Sequence, residues 1–296
     1  DAAVLQTHSQ IYGVIINAKV DEINKQAKPF KADDTDFVMV EIRGVITPKP
    51  EGAEKDSKEE YQPVFITVTT AHRSSNPDLD ASEWLKTEQE YFTKVTSKND
   101  LIIGSGFYFH YFTPDDSEVL LVSVYKNWND IEEANKVTSK LVEEGWPNED
   151  ERKAFFDKQS SFYGPLHSDE IYASLQFTKP LKTESKKPLI YYVKRNKTGN
   201  GGKGFKEYFE NITMKNPFIK GYYTHRHRWG ANSQDAIEVF VYDKFADIES
   251  SFDETGKLVE KYWPDKDKRK AFFKDYSKIF AGHGDYIYQN VPELAK

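Results

Sequence analysis

Lys140 to Phe156 reads KLVEEGWPNEDERKAFF, and the phrase returns 117 residues later, from Lys257 to Phe273, as KLVEKYWPDKDKRKAFF. Twelve of the 17 positions are identical, which marks an internal tandem repeat rather than a coincidence. The same offset pairs Val124-Tyr125 with Val241-Tyr242 and Asp130-Ile131-Glu132 with Asp247-Ile248-Glu249. It also pairs Glu90-Tyr91-Phe92 with Glu207-Tyr208-Phe209. After a one-residue deletion, the run from His167 to Tyr172 aligns with that from His283 to Tyr288. Two copies of one domain are present.

Hydrophobic periodicity reads each copy. In the second, Leu189 to Lys194 is a β-branched and aromatic run, hence a strand. Phe205 to Met214 spaces Phe205, Tyr208, Phe209 and Ile212 as one helical face. Phe218 to Trp229 and Ala236 to Tyr242 are strands around a polar turn at Gly230 to Gln234. Ala246 to Tyr262 is helical and is broken by Trp263-Pro264, since proline cannot continue a helix. Asp265 caps the next helix, as Asn148 with Glu151 does in the first copy. Asp285 to Gln289 is a last strand. The order β-α-β-β-α-β, with the second helix broken in two, is a ferredoxin-like unit. Such a sheet carries its helices on one face and needs cover on the other, and two units in one chain can cover each other.

This pattern resembles the dimeric α/β-barrel superfamily, which includes antibiotic-biosynthesis-monooxygenase-like and stress-responsive barrel proteins, with the two halves fused. The expected class is therefore α+β: two tandem ferredoxin-like repeats, 63–179 and 188–291, with facing antiparallel sheets. The resemblance further implies that the fourth strand of each half lies near the second strand of the other. His167 would then approach His225 and His227, and His283 would approach His110.

Residues 1–62 stand outside the repeat. They read as an amphipathic helix from Thr7 to Ala27, a strand from Asp36 to Thr47 and a polar linker from Lys49 to Tyr61. This extension is expected to cover a sheet edge, the alternative being an arm that docks a protein partner. The opening Asp1-Ala2-Ala3 fits a mature end left by signal-peptide removal, so the expectation is an exported, secreted or periplasmic protein. Net charge −7 argues against a nucleic-acid partner, and no apolar run is long enough to span a membrane. There is no cysteine, which excludes disulfides, thiolate metal sites and cysteine nucleophiles. With 5 Trp, 18 Tyr and 20 Phe, the core should be aromatic.

Four of the seven histidines occupy two repeated places: His110 with His227, and His167 with His283. Alternation puts Tyr223, His225, His227 and Trp229 on one face of a strand. Imidazoles in aromatic surroundings suit a ligand site, a metal pair or a haem ligand, with His167 as the third contributor. A histidine just before a strand and two residues from an Asp (His167, His283) more ordinarily bonds that carboxylate. Arg226 and Arg228 face the other way and would hold an anion only if that face lined a cavity. The Trp-Pro pairs read as core anchors, as does Trp128. Gly199, Gly201 and Gly204 spell G-x-G-x-x-G, but without a parallel βαβ unit this is no dinucleotide fingerprint, and a flexible surface loop is the expectation. Asn196-Lys197-Thr198 and Asn211-Ile212-Thr213 are glycosylation sequons.

Three function classes fit these readings. The first is a binding protein holding an aromatic, lipid-like or haem-like small molecule between the sheets. The second, implied by the resemblance, is a cofactor-free or haem-dependent monooxygenase-like enzyme. The third is a structural or interaction subunit of an exported assembly. Differences between the copies, such as Tyr108 against His225, favour one specialised cavity.

Overall fold

A computed structural model describes residues 61–76, 79–182 and 185–296. The readings made for the helix, strand and linker of residues 1–60 lie outside the described residues. The first repeat runs β1 (Phe65–Arg73), α1 (Ala81–Lys94), β2 (Ile102–Phe112), β3 (Glu118–Tyr125), α2 (Asn129–Gly145), α3 (Glu149–Ser161) and β4 (Tyr163–Ser174). The second runs β5 (Ile190–Thr198), α4 (Phe205–Tyr208), β6 (Gly221–Trp229), β7 (Asp235–Tyr242), α5 (Ala246–Tyr262), α6 (Lys266–Tyr276) and β8 (Phe280–Asn290). A π-helical turn, Phe209–Thr213, continues α4, so the single helix expected there is in fact widened half-way. The wider turn lets Phe209 reach Phe177 and Tyr222 while Ile212 stays buried.

Each half has the strand order 4-1-3-2, and the halves join edge to edge. β2 pairs with β8 and β4 with β6, so the eight strands close into one antiparallel barrel. The two sheets thus face each other across a lumen and are also continuous at both seams. Closure leaves no free sheet edge. All neighbours are antiparallel, so β1, β2, β5 and β6 run the same way and the halves are related by a pseudo-twofold along the barrel axis.

Local chemistry fixes the helices. Asp80, Asn148 and Asp265 accept hydrogen bonds from the first-turn amides of α1, α3 and α6, satisfying donors that a helix start leaves open. Trp146 and Trp263 end α2 and α5, and each is buried against the helix that follows. The Trp146–Phe155 and Trp263–Phe272 ring centres lie 4.1 and 4.2 Å apart, both at 31°. Trp128 departs from the core reading: it is 46% exposed and lies edge-on to Phe65.

The repeat continues beyond Val291. Lys179 pairs its backbone with Tyr222 at the start of β6, and Lys296 does the same with Ser105 at the start of β2. The two lysines are 117 residues apart. Their ammonium groups donate to the carbonyls of Asn216 (2.9 Å) and Asn99 (2.8 Å). Those asparagines are fully buried, and each ties down the long helix of its own half, through Ser251 and Thr255 or Ala134 and Thr138. Leu294, wholly buried with Trp84 and Phe162, anchors the second strap.

The glycine-rich loop is packed rather than loose. A Cβ at Gly199 or Gly202 would meet the backbone of Lys278 or Ile279 at 2.2 or 2.6 Å. Gly201, Gly202 and Gly204 also have positive φ, which side-chain-bearing residues disfavour. β5 pairs antiparallel with β7 and β8, so no dinucleotide-type βαβ unit exists there. The first sequon fails sterically: Asn196 is buried and donates to Glu238 at 2.9 Å. The second asparagine, Asn211, donates to the Glu207 carbonyl beside a buried Thr213.

Candidate functional site in the barrel lumen

Alternation along each strand sends one set of side chains under the helices and the other into the lumen. On β6, Tyr222 and Thr224 are buried on the helix side, so Tyr223 and His225 point inward. The lumen holds a cavity of about 310 Å³. An eight-stranded barrel is just wide enough to be filled by side chains or to hold one small ligand, and this one leaves room for a ligand. Eight wall residues are aliphatic: Ile66, Val68, Leu120, Val122, Val124, Val193, Ile237 and Val239.

The polar part of the wall comes from Ser105 and Tyr108 on β2, Tyr172 on β4, Tyr191 and Arg195 on β5, Tyr223 and His225 on β6, Tyr288 on β8, and Lys296. His225 makes no hydrogen bond, ion pair or ring contact with the described residues. Burial alone pulls its pKa down to about 4, so the ring is neutral at physiological pH. Tyr108 and Tyr191 meet edge to face at 4.7 Å, and burial pushes the Tyr108 hydroxyl up to about 12. The Tyr223 hydroxyl accepts from the Leu181 amide at 3.2 Å.

Further along the lumen, Arg195 Nη2 donates to Glu170 Oε2 at 2.9 Å, and the Tyr172 hydroxyl donates to the same oxygen at 3.0 Å. Burial opposes the charge on Arg195, but Glu170 together with Tyr172, Tyr288 and Tyr286 more than offsets this and raises the guanidinium above its ordinary value. The wall is asymmetric. At the 117-residue offset Tyr223 corresponds to Gly106 and His225 to Tyr108. Strand register matches Arg195, opposite Ile237, with Thr70, opposite Leu120.

No family model matches the chain, and no curated protein matches it in sequence. Solved structures do match. A putative monooxygenase from Fusobacterium nucleatum superposes on 78% of this chain and 94% of its own, with a TM-score of 0.50 at 14% identity. A putative monooxygenase from Lactobacillus acidophilus covers 77% and 93% at 8% identity and TM-score 0.45. A chlorite dismutase from Candidatus Nitrospira defluvii covers 78% and 92% at 12% identity and TM-score 0.45. The chain is a fused dimeric α/β barrel. At such identities the likeness carries the fold and not the chemistry.

The fused barrel brings some of the sequence-selected residues together and separates others. Tyr223 and His225 line the cavity, and His227 follows them on the inner face, edge-on to Tyr172 at 6.4 Å, with its Nδ1 buried and unpaired. The expected seam is there, but its register corrects the histidine convergence. Tyr172 and Ser174, not His167, lie opposite His227 and His225. His167 sits beside Ala71, exposed, 3.4 Å from Asp169. His283 keeps the same distance from Asp285, and Tyr288 takes the place opposite His110, whose Nδ1 bonds Thr113 at 2.8 Å. Trp229 is 68% exposed and does not line the cavity. Arg226 and Arg228 are exposed on the outer face, with Arg228 6.0 Å from the Phe65 ring centre, so they form no lumen anion site.

Haem or a metal on His225 and His227 does not fit. Among the described residues no three His, Cys, Asp or Glu side chains converge as a metal site. The cavity is also at the lower end of the range for drug-sized ligands, about 300 Å³, too little for a porphyrin. The cavity-wall residues that sequence reading missed include Tyr191 and Arg195. Both faces of β5 carry an aromatic and a cation (Tyr191 and Arg195 on one, Tyr192 and Lys194 on the other), so period alone does not choose between them. Among the described residues no helix is long and apolar enough to cross a membrane.

Proposed function

We propose that this protein binds a small, flat, largely apolar molecule in the barrel lumen, and that the imidazole of His225 reads one polar group on it. The observation that carries this reading is a neutral, unpartnered histidine set in the wall of a cavity built largely of aliphatic and tyrosine side chains. The half-buried ring faces the cavity, where a ligand hydroxyl can form the hydrogen bond that the protein does not supply, worth about 1 kcal/mol net. Concave, apolar surroundings with a few convergent polar groups are the usual make-up of a small-molecule site.

Binding is favoured over proton-abstracting catalysis by the pKa. A general base works best near the operating pH, and an imidazole with a pKa of about 4 is a poor base at pH 7. It remains a good hydrogen-bond acceptor.

Calorimetric titration with 2-naphthol tests the reading. Wild-type protein should bind one equivalent, and His225→Ala should weaken binding about tenfold, the loss of one hydrogen bond of about 1.4 kcal/mol. No saturable binding by wild type, or equal affinity in the variant, would overturn it.

A further inference from the structure

Arg195 leaves most of its hydrogen-bonding capacity unused, although its guanidinium also lies 5.7 Å from the Tyr286 ring centre. A guanidinium carries five N–H donors in a rigid fork. Arg195 uses one of them, from Nη2 to a single oxygen of Glu170, and it makes no other hydrogen bond to the described residues. The contact is one-point although bidentate pairing is the geometry Arg and carboxylate favour. Tyr172 donates to that same oxygen, so Glu170 is served twice on one side while the arginine fork stays largely open.

Its position gives the open fork a purpose. Arg195 lines the main cavity and also a second, more open depression formed with Lys197, Asn232, Asp235 and the Ala281–Gly284 segment. Of the side chains on the main cavity wall, Arg195 and Lys296 are the only permanent cations, and no carboxylate lines it. The Lys296 ammonium is already committed to the Asn99 and Thr96 carbonyls. Glu170 pairs with the fork, and Asp235 shares the wall of the second depression with it. Glu170 is compensated by Arg195 and Tyr172, and Asp235 accepts from Asn232.

Resting on the lumen-binding reading, we propose that the ligand is an aromatic carboxylate, its ring among the aliphatic residues near His225 and its carboxylate on the free donors of Arg195. The carboxylate would form the two-point pair that Glu170 does not, at the end of the cavity that opens outward. Arg195 is therefore the specificity determinant, and Glu170 its resident competitor.

Three probes of one shape separate the possibilities: 2-naphthol (neutral), 2-naphthoate (anionic) and 2-naphthylmethylammonium (cationic), each titrated by calorimetry at pH 7. Wild type should bind 2-naphthoate at least tenfold more tightly than 2-naphthol. Arg195→Gln should abolish that preference while keeping 2-naphthol binding, which also reports that the lumen is intact. Should Arg195→Gln fail to fold because Glu170 loses its partner, Arg195→Lys keeps the charge but not the fork, and it should lose most of the preference. Glu170→Gln should strengthen 2-naphthoate binding by removing the competitor. If 2-naphthol binds and 2-naphthoate binds no better, this inference fails and the lumen reading survives. Tighter binding of the ammonium probe would overturn the inference by making Glu170 the reader. Failure of all three probes would overturn both.

Discussion

His225 couples the cavity to stability through its proton. In an unfolded chain an imidazole titrates near 6.5, whereas in the barrel burial lowers this to about 4. Between those values the unfolded state binds the proton and the folded state does not. Stability is therefore fully present above about pH 6.5 and is lost as pH falls towards 4, by at most about 3 kcal/mol. Glu88 acts in the opposite sense. Burial raises its pKa even though Tyr163 and Gln159 donate to it, so its contribution declines as pH rises through the folded value. Urea unfolding from pH 4 to 7 should separate the two. His225→Phe should remove most of the fall in stability on the acid side and leave the Glu88 component. An unchanged pH profile in His225→Phe would show that the ring is solvated in the native state.

At the scale of elements, the repeated Trp-Pro breaks are the tightest joints. Trp146→Ala and Trp263→Ala should each cost about 3–5 kcal/mol, as expected for deleting a large buried ring. Trp128→Ala, at a 46% exposed position, should stay within about 0.5 kcal/mol. Denaturation midpoints at constant slope would check all three, and the contrast between them is the informative result. The glycine loop offers a second test. Gly202 has φ of +108°, and a Cβ there would sit 2.6 Å from the Ile279 amide nitrogen. Gly202→Ala should therefore destabilise by more than about 1 kcal/mol, while a loose loop would tolerate it. Leu294→Ala probes the second strap, and at a fully buried site it should cost about 2–5 kcal/mol by the same denaturation assay.

For the whole molecule, the architecture was legible because a 17-residue phrase recurs with 12 identities and the element order follows from period and caps. The site was only half legible. Alternation correctly grouped Tyr223 with His225, but both faces of β6 carry tyrosines, and only the helices, by covering Tyr222, decide which face is inside. Histidine convergence failed for a reason of register. β4 meets β6 at Tyr172, leaving His167 five residues further along the strand, and spacing along one strand does not set the stagger between two. The second strap escaped notice because Phe177-Thr178-Lys179 and Leu294-Ala295-Lys296 share a single identity, so that the equivalence lies in backbone pairing.

The unlike walls of the lumen depend on covalent fusion. In a barrel made from two identical chains, a substitution on the inner wall appears twice, related by the axis that runs down the channel. An arginine at the Arg195 position would face its own copy across a narrow, weakly solvated space, and the repulsion would tax assembly. Joining the copies in one polypeptide frees each to vary alone, so a guanidinium can stand across from Thr70, and an imidazole can replace a phenol on one side only. Duplication followed by divergence thus turns a symmetric tube into a polarised one, able to tell one end of a molecule from the other.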